Sequence, residues 1–348
     1  MPEGSSPLQR DITPSYIRRR IRLFFLFSFL GLMALFLFTS SADTFKALGR
    51  LRGGYLTLAL MLTLLDWTLG GGRVYVLSNV LSPISYPASV QASLANLCVG
   101  AITPSQTGGG PAHIFVLHRN GLSLPKAIAS AVVTFMMTVT VLLLMALWIT
   151  VAGAEAAVGM RLQPFFRLGA LAFVWVSLLF VLFLVRPKLT VRLMEAFIRG
   201  VGFVVGRKLH LRPAVRRFLR VLEECRESFN LYWHRGKLAL LFGLLITMIL
   251  FFNKFAIAWV VVRGLGLPAL FEQVLLIQAI LTLITYFAPS PGASGVAELV
   301  SAALMSRIVP RNLLPIYTVL WRFFTMYIGV IVGGVLLLRY LKPRKPKG

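Results

Sequence analysis

Apolar blocks of about 20 residues recur along the chain and restrict its fold more than any other feature. A helix needs about 20 consecutive apolar residues to cross the hydrocarbon core of a bilayer. Six blocks are long enough for complete spans, at 21–40, 55–78, 128–151, 168–185, 238–262 and 313–338. The chain is 57% hydrophobic and 14% charged, whereas soluble domains are roughly 45–50% apolar and about 25% charged. The sequence therefore predicts an all-α, polytopic integral membrane protein.

Two further apolar regions, 88–120 and 270–308, are interrupted near their middle by Pro, Gly and Ser. The first interruption spans residues 103–111 and the second spans residues 288–295. Proline removes a helical donor and glycine destabilises a helix, so neither region continues as one helix. Irregular backbone at membrane depth is tolerated only where protein or a water-filled cavity covers it. We therefore predict two re-entrant helical hairpins beside the six spans.

Lysine and arginine are distributed unevenly among the predicted loops. With the N-terminus inside and each hairpin returning to its own side, the inside loops hold 25 of the 36 basic residues and the outside loops hold 8. Because cytoplasmic loops are enriched in Lys and Arg, this bias predicts that both termini are cytoplasmic. The first hairpin would then enter from the inside and the second from the outside. The predicted order is a basic N-terminus (1–20), a first membrane half (21–185), a basic amphipathic segment (186–237), a second membrane half (238–340) and a basic tail (341–348).

The two hairpins align with each other at a constant offset of 185 residues. The residues that match at this offset are Pro104 with Pro289, Ser105 with Ser290, Gly110 with Gly295, Ala112 with Ala297 and Pro125 with Pro310. Each hairpin is also flanked by one predicted span before it and one after it. This pattern predicts an inverted repeat, and inverted repeats with broken helices at the midplane are typical of transporters.

The net charge of +25 is high enough to raise the question of nucleic-acid binding. The basic residues flank apolar spans, however, and no nucleic-acid recognition motif accompanies them. The charge therefore predicts contact with anionic or phosphate-bearing lipid headgroups rather than with nucleic acid. For the basic segment 186–237 two explanations stay open: amphipathic helices that bind such headgroups, or a linker that follows the positive-inside rule.

Five charged residues in or beside the apolar spans are candidate functional groups, because a charge at the bilayer centre costs about 2.5–3.5 kcal/mol or more. They are Asp66, Arg73, Lys254, Glu298 and Arg322. An alternative is an internal ion pair, such as Asp66 with Arg73 or Arg322, that only fixes helix packing. Lys254 and Arg73 could also extend to the membrane interface. Glu298 could simply offset the dipole of the helix that it begins.

The interruptions themselves suggest a binding mechanism. Half-helices beginning near Pro111 and Val296 would direct free N–H groups and positive dipole ends toward the bilayer centre, which suits a phosphate group. The alternative is that the small residues only permit tight helix packing. The predicted substrate-binding residues are Asp66, Arg73, Ser105, Gln106, Gly108, Gly109, Gly110, His113, Ser290, Gly292, Ser294, Gly295, Glu298 and Arg322. The two cysteines and four histidines show no metal-ligand spacing, so we predict no metal, no cofactor and no catalytic residue.

Two motifs, one in each interruption, permit comparison with known families. The first is Thr103-Pro-Ser-Gln-Thr-Gly-Gly-Gly-Pro-Ala-His113 and the second is Pro289-Ser-Pro-Gly-Ala-Ser-Gly-Val-Ala-Glu298. In this order and spacing they resemble the lysylphosphatidylglycerol synthase transmembrane-region family, and the resemblance covers nearly the whole chain. A glutamate commonly follows the glycines of the first motif in that family, whereas this chain has Gly110-Pro111. An acidic role in the first hairpin is therefore in doubt.

The resemblance implies that the protein is a flippase, similar to the flippase half of the multiple peptide resistance factor. Its cargo would be a lysyl-phosphatidylglycerol-like phospholipid or a polyprenyl-phosphate-linked lipid in a bacterial or archaeal cell membrane. The aminoacyl-transfer chemistry of the family belongs to a separate soluble domain, so we expect this chain not to be an enzyme. Three alternatives remain: an ion-coupled transporter of a small anion, a membrane subunit of a lipid-modifying enzyme such as phosphatidylglycerol lysyltransferase, and a scaffold.

Overall fold

The computed structural model of the protein describes residues 14–40, 44, 49, 51–151, 212–286 and 288–341. These residues are helical, and no strand forms among them beyond one isolated bridge. The helices are α1 (Pro14–Thr39), α2 (Gly53–Leu81), α3 (Tyr86–Ile102), α4 (Gly109–Arg119), α5 (Leu124–Val151), α6 (Arg212–Arg235), α7 (Lys237–Gly264), α8 (Phe271–Tyr286), α9 (Val296–Met305), α10 (Leu314–Arg322) and α11 (Ile328–Leu341). A 3₁₀ turn, Arg311–Leu313, precedes α10, and a π-helical turn, Phe323–Tyr327, joins α10 to α11.

Four helical segments of the described chain are long and apolar enough to cross a membrane. They are Ile17–Thr39, Leu124–Ile149, Lys237–Gly264 and Arg311–Leu341. Their outer faces expose large apolar side chains, among them Phe29, Leu37, Leu147, Leu238 and Ile331. Such faces are suited to lipid rather than to water. The prediction of an all-α integral membrane protein is therefore confirmed.

The two remaining predicted spans have different outcomes. The block 55–78 lies in α2, whose 29 residues are enough to cross a bilayer. This helix is less apolar than the four segments above, so its crossing of the membrane stays a prediction. The block 168–185 lies outside the described residues, so that span stays a prediction.

Both interruptions break their helices at the predicted places. Helix α3 ends at Ile102 and α4 begins at Gly109, while α8 ends at Tyr286 and α9 begins at Val296. Shifting α2 by 185 residues gives 238–266, and α7 spans Lys237–Gly264. The pairs α3 with α8, α4 with α9, and α5 with α10–α11 correspond in the same way. The repeat predicted from a few matched residues is therefore present as four matched helical elements.

The two interruptions touch each other. Pro104 of the first and Pro291 of the second form an isolated antiparallel bridge. The first interruption is exposed from Pro104 to Thr107, whereas Gly292, Ala293 and Ser294 of the second are buried. This contact brings the two halves of the repeat together. The sides of the membrane from which the hairpins enter stay a prediction.

Helix α6 is one amphipathic helix within the basic segment 186–237, and residues 186–211 lie outside the described chain. Its buried face carries Cys225, Phe229 and Tyr232. This face packs with Leu77 of α2 and Met137 of α5, and the Tyr232 hydroxyl donates to the Leu77 carbonyl at 2.8 Å. The described apolar face of α6 is therefore covered by protein. Binding of lipid headgroups by its outer face stays a prediction.

We expect the thiol of Cys225 to resist alkylation in the folded protein. It is 3% exposed and lies 3.5 Å from the Pro125 carbonyl. Burial, followed by the negative charge of Glu224, raises its pKa to about 11. The reactive thiolate is therefore scarce below about pH 9. Maleimide labelling at pH 7.5, counted by mass spectrometry with Cys98→Ala protein, should be slow when folded and complete in denaturant. Fast labelling of folded protein would contradict the packing of α6.

Candidate substrate-binding site

A buried ion pair links the second hairpin to the last span. Glu298 lies in the first turn of α9 and is 0% exposed, while Arg322 ends α10 and is 3% exposed. Arg322 Nε lies 3.0 Å from Glu298 Oε1. The guanidinium nitrogens also lie 3.4 Å from the Gly292 and Ala293 carbonyl oxygens of the second interruption. Arg322 therefore holds both the helix start and the interruption before it.

Three further polar side chains surround this ion pair. Ser28 Oγ of α1 lies 3.2 Å from Glu298 Oε1 and 3.0 Å from Ser294 Oγ. The Tyr327 hydroxyl lies 3.5 Å from the same Glu298 oxygen. We call these five residues the Glu298 cluster: Ser28, Ser294, Glu298, Arg322 and Tyr327. All are buried, so the cluster connects α1, the second hairpin and the last span inside the protein.

Glu298 occupies the positive end of its own helix. Its Oε2 accepts the Gly295 N–H at 2.7 Å, which satisfies one of the free donors at the start of α9. The Gly295 N–H is therefore not free for an anion, because the Glu298 carboxylate already accepts from it at this helix end. Binding of an anion by the other N–H groups of this half-helix stays a prediction. At the start of α4 the corresponding Gly108 N–H donates to the neutral Thr103 hydroxyl at 2.9 Å, and no acid lies in the first turn.

The helix is widened directly after Arg322. The π turn Phe323–Tyr327 changes the backbone register between α10 and α11. The Thr63 hydroxyl of α2 donates to the Phe324 carbonyl of this turn at 3.0 Å. Single π turns inside α-helices are frequent at functional sites. Here the turn allows Arg322 and Tyr327 to contact the same carboxylate, that of Glu298.

A second ion pair joins α2 to α7. Lys254 Nζ lies 2.8 Å from Asp66 Oδ2, with the Lys254 side chain 35% exposed and the Asp66 side chain 10% exposed. Pairing of Asp66 with Arg73 or Arg322, considered from the sequence, is wrong. Helices α2 and α7 are matched elements of the repeat and pack along each other, which brings Lys254 to Asp66.

Removing Lys254 should destabilise the protein more than removing Asp66. Lys254→Met leaves the nearly buried Asp66 carboxylate without a cation, whereas after Asp66→Asn the partly exposed lysine can still reach solvent. We expect losses in the free energy of unfolding of about 2–3 kcal/mol for Lys254→Met and about 1 kcal/mol or less for Asp66→Asn. Unfolding in mixed micelles measures both, and the opposite order would contradict the burial of Asp66.

Arg73 is held by neutral partners. Its Nη1 donates to the Thr138 hydroxyl of α5 at 3.0 Å and to the Thr247 hydroxyl of α7 at 3.3 Å. Its Nε is buried without a hydrogen-bond partner. No carboxylate of the described residues forms an ion pair with it. We call Asp66, Arg73, Thr138, Thr247 and Lys254 the Arg73 cluster.

His113 adjoins this cluster from the first hairpin. It is 1% exposed on α4, and its Nε2 has no hydrogen-bond partner. Arg73 acts electrostatically on His113 and on Tyr286, the last residue of α8. Arg73 therefore lies close to both hairpins. No hydrogen bond or ion pair among the described residues joins the Arg73 cluster to the Glu298 cluster.

The exposed end of the first hairpin has unusual backbone angles. Ser105 and Gln106 have φ values of 48° and 57°, in the left-handed region that side chains other than glycine seldom occupy. Both residues are exposed. Ser290 of the second hairpin is partly buried, and its hydroxyl has no hydrogen-bond partner. Strained backbone of this kind concentrates at binding sites.

The predicted glycines divide into two groups. A side chain at Gly108, Gly109 or Gly292 would collide with neighbouring residues, so these glycines permit close packing. No atom lies within 4 Å of the Cβ position of Gly110 or Gly295, so a side chain there would meet no neighbour. The alternative of tight packing therefore applies to the first group, and also to the Gly295 backbone, which packs closely against Gly31 of α1.

The order of these elements agrees with a comparison to known protein families. Residues 21–333 match the lysylphosphatidylglycerol synthase TM region family. The chain belongs to this family. It is also 26% identical over 309 residues to a UPF0104 membrane protein of Archaeoglobus fulgidus, an alignment that covers 86% of this chain and 91% of that protein. Membership of the lysylphosphatidylglycerol synthase TM region family confirms the resemblance carried by the two motifs.

Sequence reasoning missed several polar residues of this family member's two clusters. Ser28, Thr138, Thr247 and Tyr327 are ordinary residues of apolar helices, and nothing in their spacing distinguishes them. Lys254 was noticed but left out of the predicted site because a lysine can extend to the interface. Its match to α2 in the repeat could have identified it, since the offset places residue 254 opposite the centre of α2.

Proposed function

We propose that the protein moves a phosphate-bearing membrane lipid between the two leaflets, as a transporter rather than an enzyme. The observation that carries this proposal is the contact between the two interrupted hairpins at Pro104 and Pro291, within a repeat of matched elements. Interrupted helices that meet inside a membrane protein are the usual location of a transporter's substrate site. The proposal includes hairpins that enter from opposite sides and cytoplasmic termini.

The two charged clusters support transport rather than a scaffold role. Charges buried in membrane helices are costly, so an arrangement that only holds helices together gains little from them. In this protein the buried charges lie on helices of both halves of the repeat and beside both hairpins. A lipid headgroup could exchange with their internal contacts while its acyl chains stay in the bilayer.

Alternation between leaflets requires the two interruptions to move past each other. The Glu298 cluster fixes α9 to α1 and the last span, while the first interruption is exposed from Pro104 to Thr107. Movement of the first hairpin against the second would open the site to one leaflet at a time. The substrate's headgroup would supply the differential contacts that such a change needs.

Leaflet exchange in liposomes tests this function. Purified protein would be reconstituted with trace fluorescent phosphatidylglycerol, phosphatidylcholine or lysyl-phosphatidylglycerol, and dithionite would bleach the outer leaflet. We expect bleaching well beyond the outer-leaflet half for at least one headgroup, slowed by Asp66→Asn and unchanged by Lys126→Gln, which removes a loop-side charge outside both clusters. Bleaching that stops at half for every lipid, with or without a proton gradient, would exclude lipid exchange.

A further inference from the structure

The two charged clusters differ in their charge balance. In the Glu298 cluster one carboxylate and one guanidinium neutralise each other. In the Arg73 cluster two cations, Arg73 and Lys254, share one anion, Asp66, and Lys254 already pairs with that anion. Among the described residues Arg73 therefore keeps a positive charge that no contacting side chain neutralises. An uncompensated cation inside a membrane protein favours binding of an anion.

The Arg73 cluster and the adjoining His113 also contain polar atoms without partners. Arg73 Nε, His113 Nε2 and Asp66 Oδ1 are all buried and make no hydrogen bond. A buried polar group left unpaired is unfavourable, and each such group in a folded protein needs an explanation. Two of these atoms can donate and one can only accept. A ligand that combines acidic oxygens with a donor group would satisfy all three.

We propose that Arg73 and His113 bind the phosphate of the cargo, and that Asp66 accepts a hydrogen bond from a hydroxyl or ammonium group next to that phosphate. The inference rests on the proposed function and names the headgroup site within it. A guanidinium matches two phosphate oxygens at once, which a lysine ammonium cannot do. His113, in the tautomer with its proton on Nε2, donates a further hydrogen bond.

The exposure of the site and the hydrogen bonds that hold the Arg73 guanidinium agree with this assignment. Arg73 is partly exposed and the Lys254 side chain is 35% exposed, so the cluster borders the surface of the protein while its unpartnered atoms lie inside. The Thr138 and Thr247 hydroxyls hold only Nη1 of the guanidinium. Nη2 and Nε stay available to a ligand, and these two nitrogens form one edge of the guanidinium fork. Arg322 differs because the Glu298 carboxylate, 3.0 Å from its Nε, already neutralises its charge.

Binding in detergent micelles tests the site without requiring transport. Isothermal titration calorimetry would be run with short-chain phosphatidylglycerol, short-chain diacylglycerol and inorganic phosphate. We expect phosphatidylglycerol to bind wild type at least about tenfold more tightly than Arg73→Gln, and Arg73→Lys to recover only part of that difference. Lys126→Gln is the matched control for loss of one positive charge. Circular dichroism and thermal melting would confirm that each variant is folded.

The outcomes separate this inference from the proposed function. Phosphatidylglycerol binding that depends on Arg73 supports the site even if leaflet exchange is absent. If inorganic phosphate binds with the same dependence on Arg73, the anion site is supported, but its ligand is a soluble phosphate rather than a lipid headgroup. Equal affinity of Arg73→Gln and wild type for phosphatidylglycerol, or equal binding of uncharged diacylglycerol, overturns the inference. Leaflet exchange without Arg73-dependent binding would support the proposed lipid transport but would overturn the assignment of the headgroup site to Arg73.

Discussion

Replacing Glu298 with glutamine should lower the free energy of unfolding by about 3–5 kcal/mol, because it leaves Arg322 as a buried cation without an anion. Arg322 is 3% exposed, and its remaining partners are the Gly292 and Ala293 carbonyl oxygens and Met326 Sδ. Glutamine preserves the volume of the side chain, so the loss of stability measures the missing charge rather than the creation of a cavity. Reversible unfolding by sodium dodecyl sulfate in mixed micelles provides the measurement.

A double-mutant cycle separates the ion pair from general damage. Glu298→Gln combined with Arg322→Met should be less destabilising than the sum of the two single changes, because neither buried charge is then left alone. Glu272→Gln in the first turn of α8 is the matched control, since this carboxylate is exposed and its loss should change stability by about 0.5 kcal/mol or less. Additive single and double effects would show that the two side chains do not interact.

Replacing Gly292 with alanine should destabilise the protein by about 2–4 kcal/mol, from left-handed backbone strain together with overpacking. Gly292 has a φ of 55°, which favours glycine. A Cβ there would lie 2.8 Å from the Ala101 carbonyl oxygen and 2.8 Å from the Phe24 ring. Ala101 lies in the last turn of the first hairpin's α3, so the substitution acts where the two hairpins meet. Unfolding in the same mixed micelles measures the loss.

Gly110→Ala is the control for this substitution. Gly110 lies in α4 with no atom within 4 Å of its Cβ position and with no positive φ. Alanine has the higher helix propensity, so we expect this change to be neutral or stabilising by up to about 1 kcal/mol. Equal losses at Gly110 and Gly292 would mean that the hairpin contact does not depend on the close approach at Gly292.

The helical elements were predictable because their signals are local. Apolar length located four spans of the described residues, and proline with glycine located both interruptions within a few residues. Five pairs of matched residues gave the offset of 185. The same offset relates the ends of α2 to those of α7, although none of the matched residues lies in either helix. The π turn Phe323–Tyr327 was not predictable, since its sequence contains neither proline nor glycine and Thr63 of a distant helix stabilises it.

Most charged residues of the two clusters were predictable, but their neutral partners and their pairing were not. Asp66, Arg73, Glu298 and Arg322 were identified because charge is rare in apolar spans. Which charge meets which depends on helix rotation, and several rotations satisfy the same apolar pattern. The structure pairs Asp66 with Lys254 and Glu298 with Arg322, and this leaves Arg73 with hydroxyl partners only.

Locking the two interruptions together tests the central claim that their relative movement carries lipid across the membrane. Opposed residues of an antiparallel bridge have Cα atoms about 4.5–5.5 Å apart, within the range of a disulfide. Pro104→Cys with Pro291→Cys would be made in a background with Cys98→Ala and Cys225→Ala, since both native cysteines are buried and free. Leaflet exchange of a short-chain fluorescent lipid would be followed by extraction with albumin, because dithionite would reduce the disulfide.

We expect oxidation to stop lipid exchange in the double-cysteine protein and a reductant to restore it. Each single-cysteine variant should exchange lipid at the same rate before and after oxidation. Exchange by the fully crosslinked protein at the rate of its reduced form would contradict the claim, because lipid would then cross without separation of the two hairpins.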